Sequence, residues 1–435
     1  MEFDLYQDYS FLRGGDGTQT LYGKPVQMLT LQTFRLPSFK SVEDMHNGLQ
    51  ASQACIAGEG KQIPNAAHCK RFYAYNPSIL QLHDGKVLLF ARLSNWSLCS
   101  WAGSGRPYAD YTSTRWPNAV FEEYHSHMAY LVLPELEVMG KASSQNDSVA
   151  RHLALSEDLW IRTRAPFFEV FRQGLEDPRL LRVGKEVLAL VVYGKRAGRK
   201  EGTRLADKRV ETAGAFRQAL VTLGECCESE SISVGAEDFV PLETDFDRHA
   251  QQKNWMPFVH ENRVFAIYQL MPTMKVLALD ATTGSATLAH ETVTAEAFGA
   301  LKRAEVRGGS QCVHVPEEKL YLGVAHISRG RSAYTHVFFS FADTPPFGLL
   351  GVSREWCLAH EEQLDSERPS LVCEGVQFVS GIALLGRKSV PEGGESGGHL
   401  VMTYGVMDCD ARLARMPLRA VLKAILPAVR SKPEL

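Results

Sequence analysis

Five stretches of the chain repeat one pattern of apolar and polar positions. Each begins with a short apolar segment that opens on polar or glycine residues, and a stronger apolar run follows after a turn-like cluster or an insertion. The opening segments are NPSI at 76–79, EDPR at 176–179, NWMPF at 254–258, GGSQ at 308–311 and EGVQ at 374–377. Repetition of this kind predicts an all-β fold, a five-bladed β-propeller whose blades surround a central axis. The polar ends of the five segments should then meet in one pocket.

The stronger runs are apolar at consecutive positions rather than at alternate ones. They read VLLFAR at 87–92, VLALVVYG at 187–194, VFAIYQLMP at 264–272, LYLGVAHI at 320–327 and LVMTYGVMD at 400–408. A strand exposed on one face would alternate, so we expect strands that neighbouring blades cover on both faces. A parallel α/β sheet would show similar runs, but the chain lacks the long helical segments that such a sheet needs between its strands.

The chain divides into three predicted regions. Residues 1–69 show little periodicity and should form an N-terminal extension packed on the propeller, which occupies 70–417. Within it, a mixed helical segment is predicted around 213–223. Residues 418–435 should form a short C-terminal helix and a tail. The helix is predicted from four apolar residues at i, i+3, i+4, i+7 spacing: Leu418, Val421, Leu422 and Ile425.

The composition is ordinary for a globular protein and restricts the classes of partner. A formal net charge of −3 does not favour nucleic acid, so an anion site would have to be a local cluster of cations. No run approaches the roughly 18 apolar residues of a membrane span. The first ten residues do not resemble a signal peptide. Nine cysteines without zinc-like spacing favour a reducing, cytoplasmic compartment and no metal site. Oligomeric state stays undetermined.

Several motifs, in order, resemble glycoside hydrolase family 130, the five-bladed β-mannoside phosphorylases. GLEDPR at 174–179 looks like the family's GxEDPR motif, and KNWMPF at 253–258 is similar to its Lys-Asn/Asp segment. RGGS at 307–310 with YLGVAH at 321–326 resembles its glycine-rich turn and histidine-bearing strand. YGVMD at 404–408 resembles its closing Tyr-Gly-x-x-Asp. The likeness is nearest to the eukaryotic, trypanosomatid-type β-1,2-mannosyltransferases and phosphorylases.

The chain also departs from the family pattern. FARLS at 90–94 lacks the acidic residue that often follows the family's arginine. The N-terminal extension and the insertion at 196–250 are not explained by the bacterial pattern. These differences bear on acceptor preference more than on the type of reaction.

The resemblance implies an inverting β-mannosyl phosphorylase or transferase. In the family, the aspartate of the EDPR motif, here Asp177, is the acid that protonates the departing oxygen through a sugar hydroxyl, while phosphate attacks the anomeric carbon. The implied substrates are β-1,2-linked mannose oligosaccharides with inorganic phosphate or mannose 1-phosphate, and GDP-mannose is a further candidate donor. No cofactor is required. An inverting hydrolase on the same fold and a non-catalytic propeller scaffold are the alternatives.

Eleven residues are candidates for the site, and Asp177 is the catalytic one. The predicted phosphate-binding residues offer cations or polar groups: Arg92, Arg179, Lys253, Asn254, His326 and Tyr334. Among these, arginine supplies a planar fork for oxyanions and lysine a point charge. The predicted sugar-binding residues are Asn76, Glu176, Trp255 and Asp408.

Each candidate has a structural alternative that the sequence leaves open. A cation at a strand end can be a solvated surface charge, and a histidine in an apolar run can be a core residue bonded to backbone. Trp255 can stack on a sugar or fill the space between blades, and Asp408 can bind sugar or end a strand. Gly308 and Gly309 can present backbone N–H groups to an anion or form an ordinary tight turn.

Overall fold

The structure is a computed structural model. It describes these residues: 18–21, 24–29, 31–36, 56–57, 61–62, 72–94, 123–133, 151–163, 165–167, 170–194, 216–225, 232–246, 253–301, 304–329, 333–362, 370–373, 376–385 and 398–427. Strands dominate them, which confirms the all-β prediction. The two α-helices in these segments are α1 (Glu157–Arg162) and α2 (Leu418–Ala424). Helix α2 lies where the apolar spacing predicts it. Residues 196–215 of the insertion and residues 374–375 of the fifth repeat lie outside the described residues.

The N-terminal half contains two antiparallel meanders. Five short strands come first: β1 (Thr18–Leu21), β2 (Lys24–Leu29), β3 (Gln32–Arg35), β4 (Ile56–Ala57) and β5 (Lys61–Gln62). Sheet one follows: β6 (Tyr73–Gln81), β7 (Val87–Ser94), β8 (Glu123–Leu133) and β9 (Arg151–His152). After β10 (Ala154–Leu155) and β11 (Ala165–Phe167), sheet two contains β12 (Val170–Val183), β13 (Glu186–Gly194) and β14 (Phe216–Thr222), and after β15 (Ser233–Val234) it ends with β16 (Phe239–Pro241). The first residues of β12 pair parallel with β8, so sheets one and two are joined along this edge.

Strand β14 corrects the helical prediction around 213–223. Its residues pair with β13 on one side and with β16 on the other, so a ladder rather than a helix satisfies their backbone groups. Ala219 and Leu220 lie on opposite faces of the sheet, and both are buried. Burial on both faces removes the alternation that identifies a strand in a sequence.

Three further sheets follow along the chain. After β17 (Glu243–Thr244), sheet three contains β18 (Met256–His260), β19 (Arg263–Gln269), β20 (Thr273–Leu279) and β21 (Ser285–Val293). Sheet four contains β22 (Val306–Gly308), β23 (Val313–Val315), β24 (Leu320–Arg329), β25 (Ala333–Ala342) and β26 (Leu349–Ser353). After β27 (Trp356–Glu362) and β28 (Ser370–Cys373), sheet five contains β29 (Gln377–Leu385), β30 (His399–Val406) and β31 (Asp410–Pro417). Strand β32 (Ile425–Pro427) pairs with β26.

The N-terminal strand β3 completes sheet five by pairing antiparallel with β31. The last sheet is therefore built from both ends of the described chain. An N-terminal strand in this place joins the beginning of the chain to its end without a covalent bond.

Apolar clusters join the five sheets in a cycle. One cluster lies between sheets one and two, and others lie between two and three, three and four, and four and five. A further cluster joins sheet five back to sheet one, with Leu89 and Val401 among its members. In β7, Leu88 and Phe90 face one cluster while Val87 and Leu89 face another. This confirms that the continuous apolar runs are strands covered on both faces.

The first strands of the sheets meet at the centre of this cycle. Strand β6 contacts β12 and β29, and β12 also contacts β18 and β29. Gln311, between β22 and β23, donates to the carbonyl oxygens of Ile79 at 2.8 Å and Ile382 at 2.9 Å. The Ser78 hydroxyl accepts from the backbone N–H of Leu180 at 3.0 Å. Side-chain hydrogen bonds thus tie together strands that belong to different sheets.

One observation bears on the expected compartment. Cys357 and Cys373 form a disulfide that links β27 to β28. Disulfides are rare in reducing compartments, so the cysteine pattern no longer supports the cytoplasmic expectation. No helix within the described segments is both long enough and apolar enough to cross a membrane.

Candidate active site

Asn76 and Asp177 lie at matching irregularities in the first strands of sheets one and two. The pairing of β6 with β7 shifts register within residues 75–78, and the pairing of β12 with β13 shifts within residues 176–179. Both residues precede a proline and have left-handed φ angles, 48° and 47°. A bulge of this kind re-aims a side chain. A non-glycine residue in this region costs about 1–3 kcal/mol, and such residues cluster at functional sites.

The two bulges bring Asn76 and Asp177 into direct contact. Asn76 Nδ2 donates to Asp177 Oδ1 at 3.0 Å, and Arg92 Nη1 donates to the same oxygen at 3.1 Å. No described residue donates to Asp177 Oδ2. The carboxylate is therefore anchored through one oxygen and presents the other, and the side chain keeps 11% of its surface exposed.

Arg92 is held on several sides. Besides Asp177, it pairs through Nη2 with Glu176 Oε1 at 3.1 Å and donates from Nε to the Ser126 hydroxyl at 3.2 Å. Its guanidinium lies 5.0 Å from the centre of the Tyr75 ring. Two carboxylates thus offset its charge. In this structure Arg92 holds Glu176 and Asp177 in place, and its charge is not left available for phosphate.

Arg179 is a buried cation of a different kind. Nε donates to the carbonyl oxygen of Gly309 at 2.6 Å, and Nη1 donates to the backbone carbonyl oxygen of Asp177. Nη2 has no hydrogen-bond partner among the described residues, and no described carboxylate forms an ion pair with the guanidinium. Burial lowers the pKa of Arg179 to about 10, with Asp177 opposing the shift, so the group stays charged at neutral pH. A buried charge of this kind favours a bound anion.

His326 and Tyr334 lie on sheet four, and His326 contacts the same Phe378 ring as Arg179. Their rings are 5.0 Å apart, and the Phe378 ring lies 5.0 Å from His326 and 5.3 Å from the Arg179 guanidinium. His326 Nδ1 donates to the Gly308 carbonyl oxygen at 2.8 Å, because a carbonyl can only accept. Burial, more than any neighbouring charge, lowers the pKa of His326 well below 6.5. The ring is therefore neutral at neutral pH, and its Nε2 is an acceptor.

The charges around Asp177 decide its protonation state. Burial alone would raise its pKa, but Arg92, Arg179, the Asn76 hydrogen bond and Lys253 outweigh burial and lower the pKa below its ordinary value. In the free protein Asp177 is thus a carboxylate at neutral pH. For Asp177 to act as an acid, bound substrates must weaken the effect of these positive charges, so that the carboxylate can take up a proton.

Three other candidates lie around this centre. Lys253 is exposed, yet its charge acts on both Asp177 and His326, and Nζ lies 5.1 Å from the Phe216 ring centre. Asp408 is half-buried, and its charge raises the pKa values of Arg92 and Tyr334. Asn254 has a left-handed φ of 66° at the entry to β18. The structure thus brings most of the candidate residues into one region, and their roles stay predictions.

Trp255 requires a correction. It is only 1% exposed and belongs to the apolar cluster between sheets two and three, with its ring 5.6 Å from Tyr268. No ring face is open to a sugar, so the packing alternative applies. Its apolar side chain fills the space between sheets two and three, which agrees with the apolar residues that follow it in the sequence.

Gly308 and Gly309 also act differently from the anion-binding alternative. Both use their carbonyl oxygens, toward His326 and Arg179. A Cβ atom at Gly308 would lie 1.8 Å from the Asn254 carbonyl oxygen. The missing side chain therefore lets the two backbones approach closely. The carbonyl oxygens of Gly308 and Gly309 position the side chains of His326 and Arg179.

Ser126 and Phe378 belong to the site but escaped the sequence analysis. Ser126, on β8, accepts a hydrogen bond from Arg92. The ring of Phe378, on β29, contacts both Arg179 and His326. Neither stands in a recognisable motif. Phe378 directly follows the fifth repeat segment, and that position was the one available signal.

A buried histidine behind the site gives a prediction on stability. Burial lowers the pKa of His336 to about 3, whereas an unfolded histidine titrates near 6.5. The folded state therefore loses stability as pH falls from 6.5 towards 3, by about 1.4 kcal/mol per pH unit. We expect the fall in unfolding free energy between pH 7 and pH 5 to be about 2 kcal/mol smaller in His336→Gln than in the wild type. Urea titrations of both proteins measure it, and an equal fall would contradict the assignment.

Comparisons with known proteins give structural likeness without sequence relatives. No protein-family model and no curated protein matches the chain. Similar solved structures include a glycosyl hydrolase from Bacteroides ovatus (10% identity, 82% of this chain, 86% of that chain, TM-score 0.47). They also include a β-1,2-mannobiose phosphorylase from Listeria innocua (14%, 82%, 92%, 0.45) and the mannose phosphorylase MPT-4 from Leishmania mexicana (11%, 82%, 88%, 0.42).

No group of three or more His, Cys, Asp or Glu side chains within the described segments is arranged to hold a metal ion.

Proposed function

We propose that the five sheets are the blades of a five-bladed β-propeller with the site at its centre. The cycle of apolar clusters and the mutual contacts of the first strands support this arrangement. Strand β3 would close the ring by completing the last blade. The domain would then span 70–417, with residues 1–69 as an extension that supplies β3 and residues 418–435 carrying α2.

We propose that the chain is an inverting β-mannosyl phosphorylase and transferase. The observation that carries this proposal is Arg179, a buried guanidinium with an unpartnered nitrogen that forms no ion pair with a carboxylate among the described residues. Lys253, His326 and Tyr334 lie around the same region. A phosphate dianion would supply the missing negative charge, and HPO₄²⁻ can donate its proton to the neutral His326 Nε2.

In this reaction one bond forms and one breaks at the anomeric carbon. A phosphate oxygen attacks that carbon, the glycosidic carbon–oxygen bond breaks, and the departing oxygen takes a proton. Asp177 is proposed to supply that proton through a sugar hydroxyl. The nucleophile is phosphate, so no second carboxylate is needed to activate water. The products are α-mannose 1-phosphate and the shortened mannoside.

The protonation state of Asp177 fits a reaction that starts only when phosphate is bound. Arg92, Arg179 and Lys253 hold the carboxylate in its charged form, and an anion bound by Arg179 and Lys253 would weaken their part of that effect and raise the pKa. The open Oδ2 atom is the one placed to exchange a proton with a sugar hydroxyl. Proton loading and nucleophile binding would thus occur together.

The sequence resemblance supplies the proposed substrate class, β-1,2-linked mannose oligosaccharides. Asn76, Glu176 and Asp408 are the proposed sugar-binding residues. Asn76 also anchors Asp177, and Glu176 also pairs with Arg92. Mannose 1-phosphate is the proposed donor in the synthetic direction, and GDP-mannose is a further proposed donor. Both present a phosphate on the anomeric oxygen, which the same cations would bind.

One observation favours an inverting hydrolase as the second candidate. Asp408 is half-buried, and its charge acts on Arg92 and Tyr334, so a second carboxylate lies in the region. A hydrolase needs such a base to activate water. It would gain nothing from the unpaired Arg179.

The test is the rate of β-1,2-mannobiose consumption by the purified protein as phosphate is varied. We expect turnover that rises with phosphate, saturates, and is absent without it. A rate that is the same with and without phosphate would transfer the assignment to the hydrolase. Consumption of no mannoside at all would refute both.

A further inference from the structure

Gly405 lies against the back of the Asn76 side chain. It stands on β30, and a Cβ atom at this position would lie 2.2 Å from Asn76 Oδ1 and 2.8 Å from the Asn76 backbone nitrogen. Real Cβ atoms do not approach other atoms so closely. Gly405 has no left-handed φ, so its backbone would accept another residue. The absence of a side chain at position 405 therefore leaves room for the Asn76 side chain.

That space fixes the direction of the Asn76 amide. Oδ1 is buried and has no hydrogen-bond partner among the described residues, so it packs on the glycine instead. Nδ2 on the other side of the amide donates to Asp177 Oδ1 at 3.0 Å. If Oδ1 is displaced, Nδ2 moves with it, because both atoms belong to one rigid planar group. Asp177 would then keep Arg92 as its one side-chain donor and could rotate.

We propose that Gly405 is a positioning residue that holds Asp177 for catalysis through Asn76. Its kinetic consequence depends on the proposed phosphorylase function, but its structural consequence does not. Gly405 ensures that Asp177 is anchored by Oδ1 and presents Oδ2. Any larger residue would loosen the acid without touching the substrate or the phosphate site.

The test compares Gly405→Ala with a matched substitution, Gly323→Ala. Gly323 stands on β24, and its Cβ would lie 2.4 Å from the Phe339 ring, away from the site. We expect Gly405→Ala to lower kcat about tenfold to a hundredfold with KM for phosphate nearly unchanged. Gly323→Ala should lower the midpoint of thermal unfolding at least as much and leave kcat within about threefold.

A double variant separates positioning from damage to the strand. Asn76→Ala removes Oδ1 but leaves the backbone nitrogen at 2.8 Å from the new Cβ atom, so adding Gly405→Ala to it should lower kcat by a clearly smaller factor than the same substitution does in the wild type. Fully multiplicative losses would show that Gly405 acts by another route and would overturn the proposal. A loss in Gly323→Ala equal to that in Gly405→Ala would overturn it as well.

A crystal structure of Gly405→Ala provides a readout that does not depend on activity. We expect the Asn76 Nδ2 to Asp177 Oδ1 contact to be broken. If the contact stays near 3.0 Å, the positioning role is wrong even for an active phosphorylase. If the contact breaks but the wild type shows no phosphorolysis, the positioning role stands and the proposed function fails.

Discussion

Replacing Asp177 with asparagine is expected to lower kcat for phosphorolysis about a thousandfold or more, in line with the loss of a general acid. Asparagine has the same shape and still accepts through Oδ1 from Arg92, so the site should keep its geometry. What it lacks is a proton that can pass to the departing oxygen. Steady-state rates on β-1,2-mannobiose at saturating phosphate measure the effect.

The control for Asp177→Asn is Asp280→Asn. Asp280 lies in the exposed turn between β20 and β21, where it accepts from backbone N–H groups of the turn. This variant should turn over like the wild type. Near-normal turnover by Asp177→Asn with an intact fold would show that Asp177 is not the acid. The fold is checked by the midpoint of thermal unfolding.

Replacing Arg179 with glutamine is expected to raise KM for phosphate about a hundredfold or more, because it removes the charge that the bound anion would pair with. The effect on KM for the mannoside should be much smaller, since Arg179 lies on the side of His326 and Phe378. Arg179→Lys should fall between glutamine and the wild type, because lysine keeps the charge but loses the planar fork. Initial rates across a phosphate series distinguish the three proteins.

Arg182→Gln is the matched control for the arginine series. Arg182 stands three positions later on β12, where it donates to the Gln81 carbonyl oxygen at 3.4 Å outside the site. Its substitution should leave both KM values near wild type. An unchanged KM for phosphate in Arg179→Gln would contradict the proposed anion site.

The repeated apolar runs were enough to predict the strands, because β7, β13, β19, β24 and β30 coincide with them. Strand β14 was missed because its sequence, FRQALVT, neither alternates nor forms a continuous apolar run: Arg217 and Gln218 interrupt it. The position of β3 in sheet five could not be predicted from the sequence either. That pairing joins residues from opposite ends of the chain, and no local pattern records it.

The candidate site was predictable as a set of residues but not as a set of roles. The EDPR segment identified Asp177 and Arg179, yet Arg179 does not pair with the Asp177 carboxylate, and Arg92 does. A side chain's partner depends on the register of strands about a hundred residues apart, which the sequence does not display. Trp255 shows the same limit, because burial between two sheets decided its role.

The central claim is that phosphate, not water, attacks the anomeric carbon, and an isotope experiment tests it most directly. The wild-type protein is incubated with β-1,2-mannobiose and phosphate labelled with ¹⁸O in all four oxygens, and products are followed by NMR and mass spectrometry. We expect α-mannose 1-phosphate that retains every labelled oxygen, including the one bridging carbon and phosphorus. Free mannose carrying an anomeric oxygen from water, formed at a rate that ignores phosphate, would contradict it.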